Sequence, residues 1–225
     1  MNSVQAFMNF RRMRHIKRCN TYPTSNPTDV AQHSYFVTML AMLFADEYES
    51  NRMKLEKPDC WVTIDTEKLL RKAMLHDIEE VFISDIPYTV KHASDSLHNE
   101  LEKVTNATMT DVMESAVMRR WEAYREYCKT GVEGSIVAFC DMLELAIYSY
   151  EEMITGNSYM SELLNNCNDY LDDLLKNVIN SLGYTEDANE GLDLEDVCRK
   201  LIPSICELRC SVATDSYNIK GFMYF

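Results

Sequence analysis

Apolar residues recur at intervals of three and four along nearly the whole of this 225-residue chain, and no run alternates in the way a half-buried strand requires. Val30, Val37, Leu40, Ala41 and Phe44 mark one face of a helix from about 29 to 48, with Asp29 as its N-cap and Pro27 just upstream. Residues 51–63, with Pro58, read as a connection. Leu69, Leu70, Ala73, Met74 and Val81 mark a second helix from about 65 to 82, and Pro87 stops continuation. A third, long and strongly charged, runs from about 96 to 130, where Gly131 and Gly134 break it. Ile136, Val137, Cys140, Leu143, Ala146 and Ile147 give the next, from about 134 to 154, an apolar face wide enough for a central position. Two further helices are expected at about 163–182 and 194–210, with an acidic loop at 183–190 between them. The pattern predicts an all-α chain in one domain.

Four polar residues interrupt these apolar faces. His33 lies about one turn from both Val30 and Val37, and Asp141 lies one turn after Val137 and one turn before Leu145. Burying a carboxylate in such a line is costly unless it is paired or metal-bound. His76 and Asp77 are neighbours about 100° apart around their helix, so both can reach an ion packed against it. Two imidazoles and two carboxylates suit a divalent transition metal (Mn, Fe, Co, Ni or Zn) better than Ca or Mg. All four are helix-borne and can converge in a bundle core. A metal with further coordination positions makes bound water acidic enough to act as hydroxide near neutral pH. Glu80 stands one turn beyond His76, where its carboxylate can act on such a water as general base.

The bulk numbers narrow the partners. A formal net charge of -14 repels the phosphate backbone of nucleic acid, so nucleic acid is excluded as the main partner. The run Arg11, Arg12, Arg14, His15, Lys17, Arg18 is the one dense basic segment, read either as a solvated face or as an electropositive mouth that draws in a small anion. The 8 cysteines show no paired metal-type spacing, no secretory leader is visible, and no apolar run approaches the roughly 20 residues of a membrane span. A reducing cytosol, bacterial or that of a phage-infected host, is the expected location, with no membrane partner.

Several stretches carry a resemblance: Asp29-Val30-Ala31-Gln32-His33-Ser34, His76-Asp77-Ile78-Glu79-Glu80-Val81, Asp85-Ile86-Pro87-Tyr88-Thr89-Val90-Lys91, and Asp141. Over about residues 8–152 the chain resembles the HD-domain metal-dependent phosphohydrolases, and more narrowly the YfbR-like 5'-deoxynucleotidases. The His, His-Asp, Asp set is specific to the superfamily, and the two longer stretches are more telling. The larger dNTP triphosphohydrolases usually carry a second histidine soon after the His-Asp pair, and none follows here. The resemblance implies an HD-type helical bundle, with its core at about 8–155 and extra C-terminal helices at about 156–225. It implies His33, His76, Asp77 and Asp141 as metal ligands, and Glu80 as the residue that orients or deprotonates water. It also implies Asp85 at the sugar or bridging ester oxygen, Arg18 on the phosphate, and Lys91 as a second phosphate contact. Relatives often place Trp after that arginine, where it crowds the sugar 2' position. Cys19 stands here instead, which puts strict deoxyribose preference in question unless Tyr22 or Tyr35 fills the gap.

The expected activity is removal of the 5'-phosphate from (deoxy)nucleoside monophosphates by metal-activated water, in a homodimer. One rival is a small HD dNTP triphosphohydrolase, favoured if Arg14 and Lys17 reach the substrate. Another is a nucleotide-binding protein without turnover.

Overall fold

The computed structural model describes residues 1–55, 57–91, 93–184 and 193–213. Eleven α-helices occur among them: α1 (Ser3–Phe10), α2 (Val30–Arg52), α3 (Thr66–Leu75), α4 (Glu80–Ile83), α5 (Tyr88–Lys91), α6 (Asp95–Val112), α7 (Ala116–Glu126), α8 (Gly131–Ile154), α9 (Ser161–Ser181), α10 (Leu194–Leu201) and α11 (Pro203–Ala213). A 3₁₀ turn, Arg11–His15, follows α1. The described residues contain no strand, only an isolated antiparallel bridge between Lys17 and Asp29. The all-α expectation holds.

Capping explains the helix starts. The Asp29 carboxylate accepts from the Gln32 amide at the head of α2, and Asp65 accepts from Lys68 at the head of α3. Gly131, at φ +71°, occupies a backbone region that favours glycine, and it opens α8. This 24-residue helix is buried on most of its circumference and packs against α9, α2 and α3. Gly156, at φ +99°, turns the chain back into α9.

Three predicted helices are in fact broken. The second ends at Leu75: Ile78 donates to the Leu75 carbonyl and Glu80 to the Asp77 carbonyl, so a tight turn at 76–79 separates α3 from α4. The third splits at 113–115, where the Ser115 hydroxyl caps a fresh helix by accepting from the Met118 amide. The last splits at Ile202, which leaves helical geometry at φ -139°, because Pro203 disfavours helical geometry in the residue before it. Most of the acidic 183–190 loop, and the chain beyond 213, lie outside the described residues.

Two hydrophobic cores result. The larger joins α2, α3, α8, α9, α10 and α11 around Phe44, Tyr48, Leu69, Phe139, Leu143, Leu171 and Ile179. The smaller joins α1, the 3₁₀ turn, α6 and α7 around Phe10, Met13, Met109, Met113 and Met118. Val30 belongs to the smaller core and Val37 to the larger, so His33 lies at the boundary. His76 sits at the same boundary, between Ala73 of the larger core and Ile78 of the smaller.

Candidate metal centre and phosphate site

At that boundary the structure brings His33, His76, Asp77 and Asp141 together, one donor atom of each within 4.8 Å of all the others. His33 Nε2 is 3.2 Å from His76 Nε2, 3.0 Å from Asp141 Oδ1 and 3.5 Å from Asp77 Oδ2. His76 Nε2 is 3.2 Å from Asp77 Oδ2 and 3.7 Å from Asp141 Oδ1. Both histidines are fully buried, and both aspartates are partly so. The break after α3 places His76 and Asp77 in the tight turn rather than within a continuous helix.

The outer nitrogens show what the inner ones can do. His76 Nδ1 donates to the Ala73 carbonyl at 2.7 Å, and His33 Nδ1 meets the Glu144 carboxylate in a short buried contact. With Nδ1 protonated on both rings, both Nε2 lone pairs point at each other and at two carboxylate oxygens. Such an arrangement is repulsive unless a proton or a metal cation sits among the four donors; burial opposes a charge on His76, but Asp77 and Asp141 outweigh it and hold the ring well above the usual histidine range. Ligands at about 2.0–2.1 Å from a first-row cation stand about 3.0–3.4 Å apart, close to these separations. Donating the second ring nitrogen to a carboxylate or carbonyl is also how metal-binding histidines are oriented. The residues fit a divalent metal.

Glu80 lies beside the cluster, buried at 2% exposure, with Oε1 4.0 Å from Arg18 Nη1 and 3.5 Å from Lys91 Nζ. Its Oε2 is buried without a protein partner. Burial and the Asp77 charge push the Glu80 carboxyl up to about 9, against Arg18 and Lys91. Glu79 turns away toward Arg125. Arg18 donates to Asp77 Oδ2 at 2.9 Å; burial opposes its charge, but Asp77, Asp141, Glu80 and Asp85 outweigh that. The Arg18 amide donates to the Thr28 carbonyl, and Val30 donates to Ile16, so two rungs hold the arginine against the start of α2.

Two residues flanking this group have left-handed backbones. Cys19, at φ +53°, follows Arg18, and Ser84, at φ +67°, precedes Asp85. Strain of this kind, about 1–3 kcal/mol each, persists where surrounding contacts over-determine it. Burial pushes the Cys19 thiol up to about 11, so it stays protonated at neutral pH. Asp85 is partly buried, and its charge acts on Arg18 and Glu80.

Other candidates lie farther from the metal donors' contacts. Tyr35 is 53% exposed on α2, edge-on to Phe36. Arg14 is exposed and donates to its neighbour His15, and Lys17 is exposed; neither pairs with a residue of the centre. Two residues escaped sequence reasoning. Glu144 could have been found, since it stands three residues beyond Asp141 and shares its helix face. Lys129, whose Nζ lies 2.6 Å from Asp141 Oδ2, sits in the turn before α8 and carries no local signal. A groove of about 580 Å³ runs between α2 and α8, lined by Phe36, Met39, Leu43 and Ile147. It touches Glu144 but none of the four donors, and its charged lining is acidic, so it is not where a phosphate would bind.

An all-helical bundle holding a His, His-Asp, Asp cluster beside a buried glutamate and an arginine defines the HD-domain phosphohydrolase class. Within that class, the description "5'-deoxynucleotidase YfbR-like" matches residues 5–182, and the chain belongs to this family. It is a metal-dependent nucleotide phosphohydrolase of the 5'-deoxynucleotidase type. A 5'-deoxynucleotidase of Pectobacterium atrosepticum is 24% identical over 166 residues, which is 70% of this chain and 77% of that protein. An HD-domain phosphohydrolase from Listeria innocua has the same fold, with a TM-score of 0.66 at 23% identity over 96% of this chain and 100% of that one. The cyanophage S-2L HD phosphohydrolase DatZ, solved with dA and one catalytic Zn2+ ion, is similar at a TM-score of 0.58 and 14% identity, over 91% of this chain and 95% of that one.

Proposed function

We propose that the chain removes the 5'-phosphate of deoxynucleoside monophosphates, with His33, His76, Asp77 and Asp141 holding one divalent metal from among Co, Mn, Zn, Ni and Fe. The observation that carries this reading is the convergence of four metal-donor side chains beside a buried glutamate oxygen that has no protein partner. When bound, the metal supplies Lewis acidity and makes water acidic near neutral pH. Glu80 Oε2, in its ionised form, receives the proton of the attacking water; a cation held by the four donors would offset the Asp77 charge that raises this carboxyl and so favour that form. Water oxygen bonds to phosphorus as the bond from phosphorus to O5' breaks, and the proton passes to O5' of the departing nucleoside. Arg18 binds two phosphoryl oxygens through its planar fork, and Lys91 adds a third donor. Asp85 holds the sugar or the bridging oxygen from beyond Ser84. Cys19, small and uncharged, leaves room at the 2' position, so ribonucleotides are cleaved as well, less efficiently.

Monophosphates are favoured over triphosphates because Arg14 and Lys17 are engaged or turned outward, leaving few cations for a longer phosphate tail. Helices α9, α10 and α11 share the larger core with α2, α3 and α8, which supports one catalytic domain with a C-terminal extension. The exposed apolar face of α2, with Phe36, Met39 and Leu43, supports assembly as a homodimer. Core cysteines kept as thiols, Cys140 and Cys167 among them, support a reducing cytosol, and among the described residues no helix is long and apolar enough to cross a membrane.

The test is metal-stripped protein given each metal in turn with ribo- and deoxynucleoside mono- and triphosphates, products resolved by chromatography. Nucleoside plus phosphate from monophosphates is expected. Release of triphosphate would move the reading to a dNTP triphosphohydrolase, and binding without product under every metal would make the chain a nucleotide-binding protein.

A further inference from the structure

Lys129 lies in the turn between α7 and α8, a segment the chain fixes from two sides. The buried Lys72 ammonium donates to the Thr130 carbonyl at 2.5 Å. On the other side Gly134 packs against the Lys129 backbone so closely that a Cβ there would stand 2.4 Å from the Lys129 carbonyl carbon. Glycine is therefore required in the first turn of α8 for the turn to lie against the helix. Gly134 and Asp141 are seven residues apart, two turns along one face. The lysine side chain and the Asp141 carboxylate, reaching toward each other, together close the roughly 10 Å between those levels. Its Nζ arrives 2.6 Å from Asp141 Oδ2, the oxygen opposite the one that faces the two histidines. An ammonium carries three donors, and Asp141 accepts one. The side chain is 49% exposed, so the other two are open to a ligand beside Asp141.

We propose that Lys129 is a substrate-binding residue that grips the phosphoryl group from the Asp141 edge of the centre, while Arg18 grips it from the Asp77 edge. This rests on the phosphohydrolase reading above, and deepens it by adding a cation from a segment that reading does not use. A lysine serving only to steady Asp141 has no need of free donors on the solvent side.

The measurement is calorimetric titration of inorganic phosphate into Mn-loaded wild type, K129M and K129R, with Mn affinity of each protein measured separately. Hydrogen bonds between charged partners are strong enough that losing one should weaken phosphate binding by about tenfold or more in K129M. K129R should stay within about threefold of wild type. Mn affinity should not fall in either variant, and affinity for a deoxynucleoside lacking phosphate should be unchanged. If K129M binds phosphate as wild type does, or loses phosphate and deoxynucleoside affinity together with Mn affinity, the lysine only orients Asp141 and the proposal is overturned. Because the titration needs no turnover, it decides the matter even for a protein that hydrolyses no nucleotide.

Discussion

The two cores differ in chemistry as well as size. The larger is built mainly from branched aliphatic and aromatic side chains, with Phe44 and Phe139 edge-on at 6.4 Å, and it carries the long helices α2 and α8. The smaller holds four buried methionines, Met13, Met109, Met113 and Met118, and short elements. Methionine fills irregular space and adapts, whereas branched and aromatic residues fix one packing. The outer contacts of His33 and Asp141 come from α8 and the turn before it, which the larger core holds. Arg18 follows Ile16, and Glu80 precedes Val81, both packed in the smaller core. His33 and Asp141 thus lean on the larger core, His76 and Asp77 sit between Leu75 and Ile78 of the smaller one, and the groups assigned to the phosphate and the proton lean on the smaller core as well.

The largest expected effect tests whether these tasks separate. Glu80→Gln keeps the shape and removes the proton acceptor. It should lower kcat by about 10²–10⁴, while metal affinity, read by calorimetry, stays within about threefold. A comparable fall in metal affinity would mean that Glu80 belongs to the metal-binding group. Next comes packing. Phe139→Ala should cost about 3–5 kcal/mol of stability and should weaken metal binding with it. Met109→Ala, fully buried in the smaller core, should cost nearer to about 2 kcal/mol and lower turnover without changing metal affinity. If both variants weaken the metal alike in thermal unfolding and calorimetry, the cores do not divide the labour.

Glu144→Gln sharpens the same division from the rigid side. The amide can still meet His33 Nδ1, but it no longer orients the ring through a charge. Metal affinity should fall by about 10–100-fold, while Glu144→Ala should cost more. An unchanged affinity in Glu144→Gln would show that the contact is one of packing alone.

Much of this was legible in the sequence, and the failures have physical causes. The donors could be read because burying His33 and Asp141 on apolar faces needs a reason, and a metal supplies one. The start of α2 followed from Asp29 as its capping residue, and α3 begins close to the expected position, where Asp65 proves to be the cap. The break at 76–79 could not be read, because residues 65–82 keep helical periodicity straight through it. What interrupts the helix is the geometry that lets His76 and Asp77 serve one centre, a tertiary demand that local propensity does not record. Ser115 and Pro203 did carry local signals, and the amphipathic pattern running across both positions masked them. Lys129 is the opposite case. Only the approach of its backbone to Gly134 makes it part of the site, and that approach is set by packing between segments.

The smallest predicted effect concerns the segment linking the two sides, residues 22–28, which runs from the strained Cys19 turn to the cap of α2. Glu152, near the end of α8, holds it: the Ser25 and Asn26 amides donate to its two oxygens at 2.6 Å each, and Asn157 Nδ2 donates at 2.7 Å. Burial works to raise this carboxyl, but the hydrogen bonds from Ser25, Asn157 and Asn26 outweigh it and hold it below the usual glutamate range. A carboxyl depressed in the folded state contributes stability that is fully present above its unfolded value, near pH 4.5, and is lost as pH falls through the folded value. Glu152→Gln removes that contribution, so the variant should melt below wild type at pH 6, by about 2–4 °C for each 1 kcal/mol lost. The gap should narrow as the pH falls below 4.5 toward the depressed folded value. Melting curves of metal-free protein at half-unit steps from pH 6 to 3 check this, since metal binding is itself pH-dependent and would mask it. A gap that stays constant across the series would assign the loss to shape rather than charge, and the anchor of the Arg18 segment would then be Asn157, which also donates to the Pro23 carbonyl at 2.8 Å.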